Sequence, residues 1–109
     1  MTIQLPEPIE NYRVISNSED YSLLHQCFTQ SAVVRDEGRQ YSGLSAIQGW
    51  LEEAKKKYEY SIDPVSLSKD GASVKVVFKA TGNFPGSPAY LENSFELLDD
   101  RIQSLTIRG

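Results

Sequence analysis

The chain has 109 residues, 15 of them acidic and 11 basic, for a formal charge of −4. That length suits a single domain spanning residues 1–109, able to take roughly two thirds of its unfolded surface out of water. An acidic balance without clustered arginines excludes a protein that tracks nucleic-acid phosphates, and no apolar stretch approaches a membrane span.

The start of the chain, Met1-Thr2-Ile3-Gln4-Leu5-Pro6-Glu7, has neither the basic residues nor the apolar run of a secretory signal, so a cytoplasmic protein is expected. From Pro6 to Ile15 the apolar positions Ile9, Tyr12 and Ile15 recur at helical spacing, which predicts a first helix with Tyr12 facing inward. Asn17 and Ser18 break the pattern. Ser18, followed by acidic Glu19 and Asp20, reads as the N-cap of a second helix whose inner face is Tyr21, Leu24, Cys27 and Phe28. Cys27 is the sole cysteine and cannot form an internal disulfide; its apolar setting predicts a buried thiol. His25 lies two residues away on the same helix, where the two side chains diverge, and no further histidine or cysteine is present to complete a zinc site.

Ser31 to Asp36 is short and valine-rich, and Asp36-Glu37-Gly38 returns the chain through Arg39-Gln40-Tyr41 as a small hairpin. After Gly43, the stripe Leu44, Ile47, Trp50, Leu51, Ala54 and Tyr58 predicts a third helix with Trp50 and Tyr58 on its buried face. Lys55-Lys56-Lys57 at its end, behind Glu52 and Glu53, suits the helix dipole and a solvated face. The remainder reads as four antiparallel strands, broken at Lys69-Asp70-Gly71, Gly82 to Pro88 and Asp99-Asp100. In the second of these strands Val74, Val76, Phe78 and Ala80 share a face; in the third Leu91, Asn93, Phe95 and Leu97 do. Phe84, beside the Pro85-Gly86 turn signal, sits at a loop tip as a lid over a cavity mouth, as a contact with a partner subunit, or as a side chain folded back on the sheet. The expected architecture is α+β: three N-terminal helices on one face of a curved, mostly antiparallel sheet.

Tyr12, Asp36 and Asn93 are polar groups on faces otherwise apolar. A carboxylate with two neutral donors around an apolar cavity can move a proton next to a carbonyl group. Each has a plainer reading as well. Asp36 is also ordinary turn chemistry, the Tyr12 hydroxyl could bond a backbone carbonyl, and a structural partner would satisfy the Asn93 amide. Phe28, Trp50, Phe78 and Phe95 are core residues or the lining of a ligand pocket.

Tyr12 followed by Asn17 and Asp20, Phe28 followed by Ala32 and Asp36, then Tyr41, Gly43, Ala46, Ile47 and Trp50 resemble the pattern of the nuclear transport factor 2-like superfamily, which includes ketosteroid isomerases and SnoaL-like cyclases. The resemblance spans nearly the whole chain. It implies a cone-shaped half-barrel, or cystatin-like roll, and a homodimer through the outer sheet face. It also matches Tyr12 to the isomerase tyrosine that bonds the carbonyl oxygen, and Asp36 to the proton-abstracting aspartate. The isomerases' second acid, two residues before a phenylalanine, is replaced by Asn93 before Phe95. The implied ligand is a small, largely apolar carbonyl compound, handled without a cofactor. The competing expectation is a non-catalytic ligand-binding or dimeric interaction module on the same fold.

Overall fold

The computed structural model describes residues 3–18 and 20–108. Met1, Thr2, Glu19 and Gly109 lie outside the described residues, and with them part of the reading of the chain's start and the acidic Glu19 of the expected cap. The order is α1 (Glu7–Ser18), α2 (Leu24–Cys27), β1 (Phe28–Asp36), β2 (Arg39–Ser42), α3 (Leu44–Lys57), β3 (Tyr60–Asp70), β4 (Ser73–Gly82), β5 (Ala89–Leu98) and β6 (Arg101–Arg108). All six strands form one sheet in the order β2-β1-β6-β5-β4-β3. Three helices on an open, mostly antiparallel sheet make an α+β cone.

The helical stripe of α1 buries Ile9, Tyr12 and Ile15 as its spacing requires, and the helix runs on through Asn17 and Ser18. The expected second helix is reduced to a single turn, α2. Ser18 Oγ accepts the Asp20 backbone N–H and Asp20 Oδ1 accepts that of Ser22, so the capping residues fold a turn instead of starting a helix. Phe28 is claimed by the sheet, where it opens β1 beside Ile102 of β6. Sheet pairing has overridden the helical spacing. Leu24, Cys27 and Phe28 still point into the core, whereas Tyr21 is only partly buried.

The β1–β2 hairpin closes through Glu37 and Gly38, both at positive φ (52° and 76°), the twist-matched two-residue turn that Gly38 permits. Strand β6 returns to lie parallel to β1 and antiparallel to β5, which places the chain's last strand at the sheet centre. Strand β3 is an edge, carrying Pro64 next to a register shift. Its free backbone is met by Asn17 at the end of α1, which donates to the Ile62 carbonyl (3.1 Å) and accepts the Ile62 N–H (2.9 Å).

Helix α3 buries Ile47 and Leu51, and its last-turn lysines behave unequally. Lys56 and Lys57 are exposed, but Lys55 donates to the Tyr60 carbonyl and lies over the Tyr60 ring. The densest packing gathers Ile9, Cys27, Phe28, Val34, Phe95, Ile102 and Leu105, all essentially without solvent contact. No helix among the described residues is long and apolar enough to cross a membrane.

Candidate active site

The side-chain alternation of a strand brings Ala32, Val34 and then Asp36 to the inner face of β1. In the parallel β1–β6 register Val34 faces Leu105 and Arg35 faces Thr106, so Asp36, one step on, stands beside Ile107. Ile107 is paired in turn with Asn93 on β5. Asp36, Ile107 and Asn93 thus form a row across three adjacent strands, with the two polar residues about 10 Å apart at the backbone. Tyr12 reaches toward the sheet from α1, its ring edge-on to Phe28, Phe78 and Phe95 at centroid distances of 6.1, 6.3 and 5.7 Å. Such pairs contribute about 0.5–1.5 kcal/mol each beyond simple burial, so the tyrosine is firmly held.

Between the row, α1 and α3 lies a half-open cavity of about 630 Å³. One wall is Trp50 and Ala54 of α3 with Tyr58 just past its end; the sheet contributes Phe78, Ala80, Ala89, Leu91, Asn93 and Ile107; Tyr12 and Ser16 come from α1. Trp50 Nε1–H donates to Asp36 Oδ2 at 3.1 Å, leaving Oδ1 free of that bond. Burial holds the Asp36 carboxyl above its ordinary range; the Trp50 bond opposes this, the Glu37 charge adds to it, and a bond from the Glu37 backbone opposes it. Burial likewise raises the Tyr12 phenol well above its ordinary value, helped by Tyr60, Asp36 and Cys27, so it stays a neutral donor. Its hydroxyl has no hydrogen-bond partner among the described residues, yet no fully buried polar side-chain atom there is unpaired; the oxygen therefore opens on the cavity. Asn93 spends one amide N–H on the Leu91 carbonyl at 3.0 Å, which fixes the amide plane.

Of the residues singled out from sequence, Tyr12, Asp36, Asn93, Trp50 and Phe78 line this one cavity, and Phe28 and Phe95 do not. Both are fully buried behind the Tyr12 ring, because their positions on β1 and β5 fall at the packed end of the sheet. His25 is exposed on α2 and is absent from the cavity wall. The sequence reading missed Ile107, Tyr60 and the Trp50–Asp36 bond. Ile107 was signalled only by alternation within a short last strand, and the Trp50 bond joins two elements whose packing no local pattern encodes. Among the described residues no group of three or more histidine, cysteine or acidic side chains could hold a metal ion.

No protein-family model matches this sequence, and no curated protein matches it. Among solved structures it is similar to a Sinorhizobium meliloti protein provisionally named a polyketide cyclase, with 38% identity, 95% of each chain covered and a TM-score of 0.91. It is also similar to a protein of ketosteroid isomerase-like fold from Catenulispora acidiphila, solved in complex with trimethylamine (15% identity, 97% of this chain and 87% of that one, TM-score 0.84). A protein from Agrobacterium tumefaciens provisionally named a SnoaL-like isomerase shares the fold at 18% identity, covering 94% and 96% of the two chains with a TM-score of 0.79. Identity of 38% over nearly the whole of two chains puts this chain in one family with the Sinorhizobium protein, and its fold is that of the nuclear transport factor 2-like proteins.

Proposed function

We propose that the protein binds a small neutral carbonyl compound in this cavity and moves a proton on the carbon next to the carbonyl, as an isomerase- or cyclase-like enzyme without a cofactor. The observation that carries this reading is the row of Asp36 and Asn93 across β1, β6 and β5 under the Tyr12 hydroxyl, around one cavity. Asp36 Oδ1 takes the proton: the C–H bond breaks, an O–H bond forms on the carboxyl, and the electron pair moves onto the carbonyl oxygen. Tyr12 O–H and the remaining Asn93 N–H donate to that oxygen as its charge grows. Asp36 then returns the proton to the same carbon or to its conjugated neighbour. Burial makes the carboxylate a stronger base than a free aspartate, which suits this role. The provisional names of the Sinorhizobium and Agrobacterium proteins agree with chemistry of this type.

The test needs no known substrate. Neutral ketones are incubated with the protein in deuterium oxide, and exchange at the carbon next to the carbonyl is followed by NMR. Exchange faster than buffer, reduced at least about 100-fold in Asp36→Asn with ligand affinity retained, supports the reading. Binding without exchange in the wild type would replace it with a non-catalytic ligand-binding module. We further propose a homodimer through the outer sheet face, where Tyr90 is exposed beside Lys79. Sedimentation showing a monomer at all concentrations would rule it out.

A further inference from the structure

Asp36 is held by a frame that lies partly outside the cavity. Tyr41 is opposite Val34 and Arg39 is opposite Asp36, so Tyr41 and Asp36 are diagonal neighbours on the inner side of one hairpin. Gly43 then ties the start of α3 back to β1. Its N–H donates to the Ala32 carbonyl at 2.8 Å, and its own carbonyl accepts the Ile47 N–H at 3.0 Å. Its φ of 89° is one that a residue with a Cβ rarely adopts. From that joint the chain climbs seven residues of helix to Trp50, or about 10 Å. Strand β1 runs four residues from Ala32 to Asp36, or about 13 Å. Helix and strand thus bring Trp50 and Asp36 side by side.

The indole is engaged twice there. Its Nε1–H donates to Asp36 Oδ2 at 3.1 Å, and its ring meets that of Tyr41, tilted by 31° with centroids 6.0 Å apart. That separation is within the range in which aromatic rings attract one another. Trp50 borders the cavity and Tyr41 does not, so the Tyr41 ring backs the indole from the side away from the cavity. One hairpin therefore carries both the carboxylate that the indole bonds and the ring that supports the indole.

Resting on the reading of Asp36 as the proton acceptor, we propose that Tyr41 is a positioning residue: its ring keeps the Trp50 indole N–H on Oδ2, which leaves Oδ1 as the one oxygen that takes and returns the proton. The indole bond is available throughout the cycle. Oδ2 accepts it first as part of the carboxylate. After C–H cleavage has formed an O–H bond at Oδ1, Oδ2 accepts it as the carbonyl oxygen of the neutral acid. When that O–H bond breaks, the proton returns to carbon from a carboxyl that has not rotated.

Trp50 is the sole tryptophan, so its indole N–H gives a single NMR signal in a nitrogen-labelled sample. Around Asp36 stand Glu37 of the turn, Arg39 of β2, Tyr12 of α1 and, across the cavity, Tyr60 of β3; every variant used retains them. In wild type the indole signal should shift as Asp36 titrates, and the N–H should exchange with solvent at least about tenfold more slowly than in Tyr41→Leu. Tyr41→Leu should lose the link to that titration and should lower deuterium exchange into saturating acetophenone about tenfold, with KM unchanged. Tyr41→Phe should behave as wild type, because the ring and not the hydroxyl makes the contact. In a Trp50→Phe background Tyr41→Leu should change the rate no further. The proposal is overturned if Tyr41→Phe is as damaging as Tyr41→Leu, or if the rate loss persists undiminished in the Trp50→Phe background. Should Tyr41→Leu not fold, the wild-type and Tyr41→Phe spectra decide: an indole signal indifferent to the Asp36 titration overturns the proposal. No exchange of any neutral ketone in wild type overturns the proton-transfer reading together with this one; exchange with an indole signal indifferent to Tyr41→Leu overturns this one alone.

Discussion

The two ends of the inner sheet face are built by the same strands with the same alternation, yet one is packed and the other is open. On β5 the inward residues run Ala89, Leu91, Asn93 and Phe95; on β4 they run Ala80, Phe78, Val76 and Val74 in the paired direction. Toward Phe95 and Val74 large side chains interlock with Phe28, Ile102 and Leu105, and solvent is excluded. Toward Ala80 and Ala89 the side chains shrink, and both line the cavity. Asn93 and Asp36 stand at the boundary: both line the cavity, and burial raises the pKa of Asp36. A cone gains its site by filling only one end.

The sharpest way to break this contrast is to make one substitution at both ends. Leu105→Ala, at the packed end, should cost about 2–5 kcal/mol in urea unfolding. Leu91→Ala, on the cavity wall, should cost less than half as much, because it enlarges a space that solvent already reaches. Equal costs would mean that the open end is closed in solution.

Asn17→Ala tests how the open end is held at its edge strand. It removes both bonds to Ile62 and should cost about 1–3 kcal/mol, with faster amide exchange at Ile62 as the specific sign.

Asp36 offers a test through pH. The folded protein raises its pKa, so it holds the proton more tightly than the unfolded chain does. Charged Asp36 is therefore a cost to folding, present above the folded pKa and relieved as pH falls through it. Asp36→Asn should raise the Tm at neutral pH, and the gain should shrink as pH is lowered through that pKa. A lowered Tm at neutral pH would mean that the carboxylate is stabilised where it stands.

The smallest expected effect is that of Trp50→Phe, which removes the indole N–H from Asp36 Oδ2 at a cost of about 0.5–1.5 kcal/mol. It should move the Asp36 pKa further upward in an NMR titration of carboxyl carbons, since that bond favours the charged form. An unchanged pKa would remove Trp50 from the control of this carboxyl.

Much of this was legible before any coordinates. The stripes of α1 and α3, the Glu37-Gly38 turn and the alternation on β4 and β5 are local: each follows from side-chain periodicity or from a backbone conformation that few residues adopt. They placed Tyr12 inward, Asp36 at a strand end and Asn93 in an apolar row. Where local preference competed with long-range pairing, pairing decided the outcome. Phe28 has helical spacing from Leu24 but forms a strand beside Ile102, because sheet hydrogen bonds and complete burial outweigh the weak preference of a four-residue helical segment. From sequence Phe28 could be turned inward on the second helix and Phe95 on its strand, but neither could be assigned to one end of the sheet.

That last distinction depends on distances between elements remote in the chain. The register of β6 against both β1 and β5 sets Asp36 and Asn93 on either side of Ile107, and the docking of α3 brings Trp50 to Asp36 and Tyr58 to Phe84. The sequence by itself determined which side chains face inward, since that follows from periods of 3.6 and 2 residues. Only the tertiary structure decided which of those side chains touch one another and which border empty space, because that depends on how far apart the packed layers stand at each point along the cone.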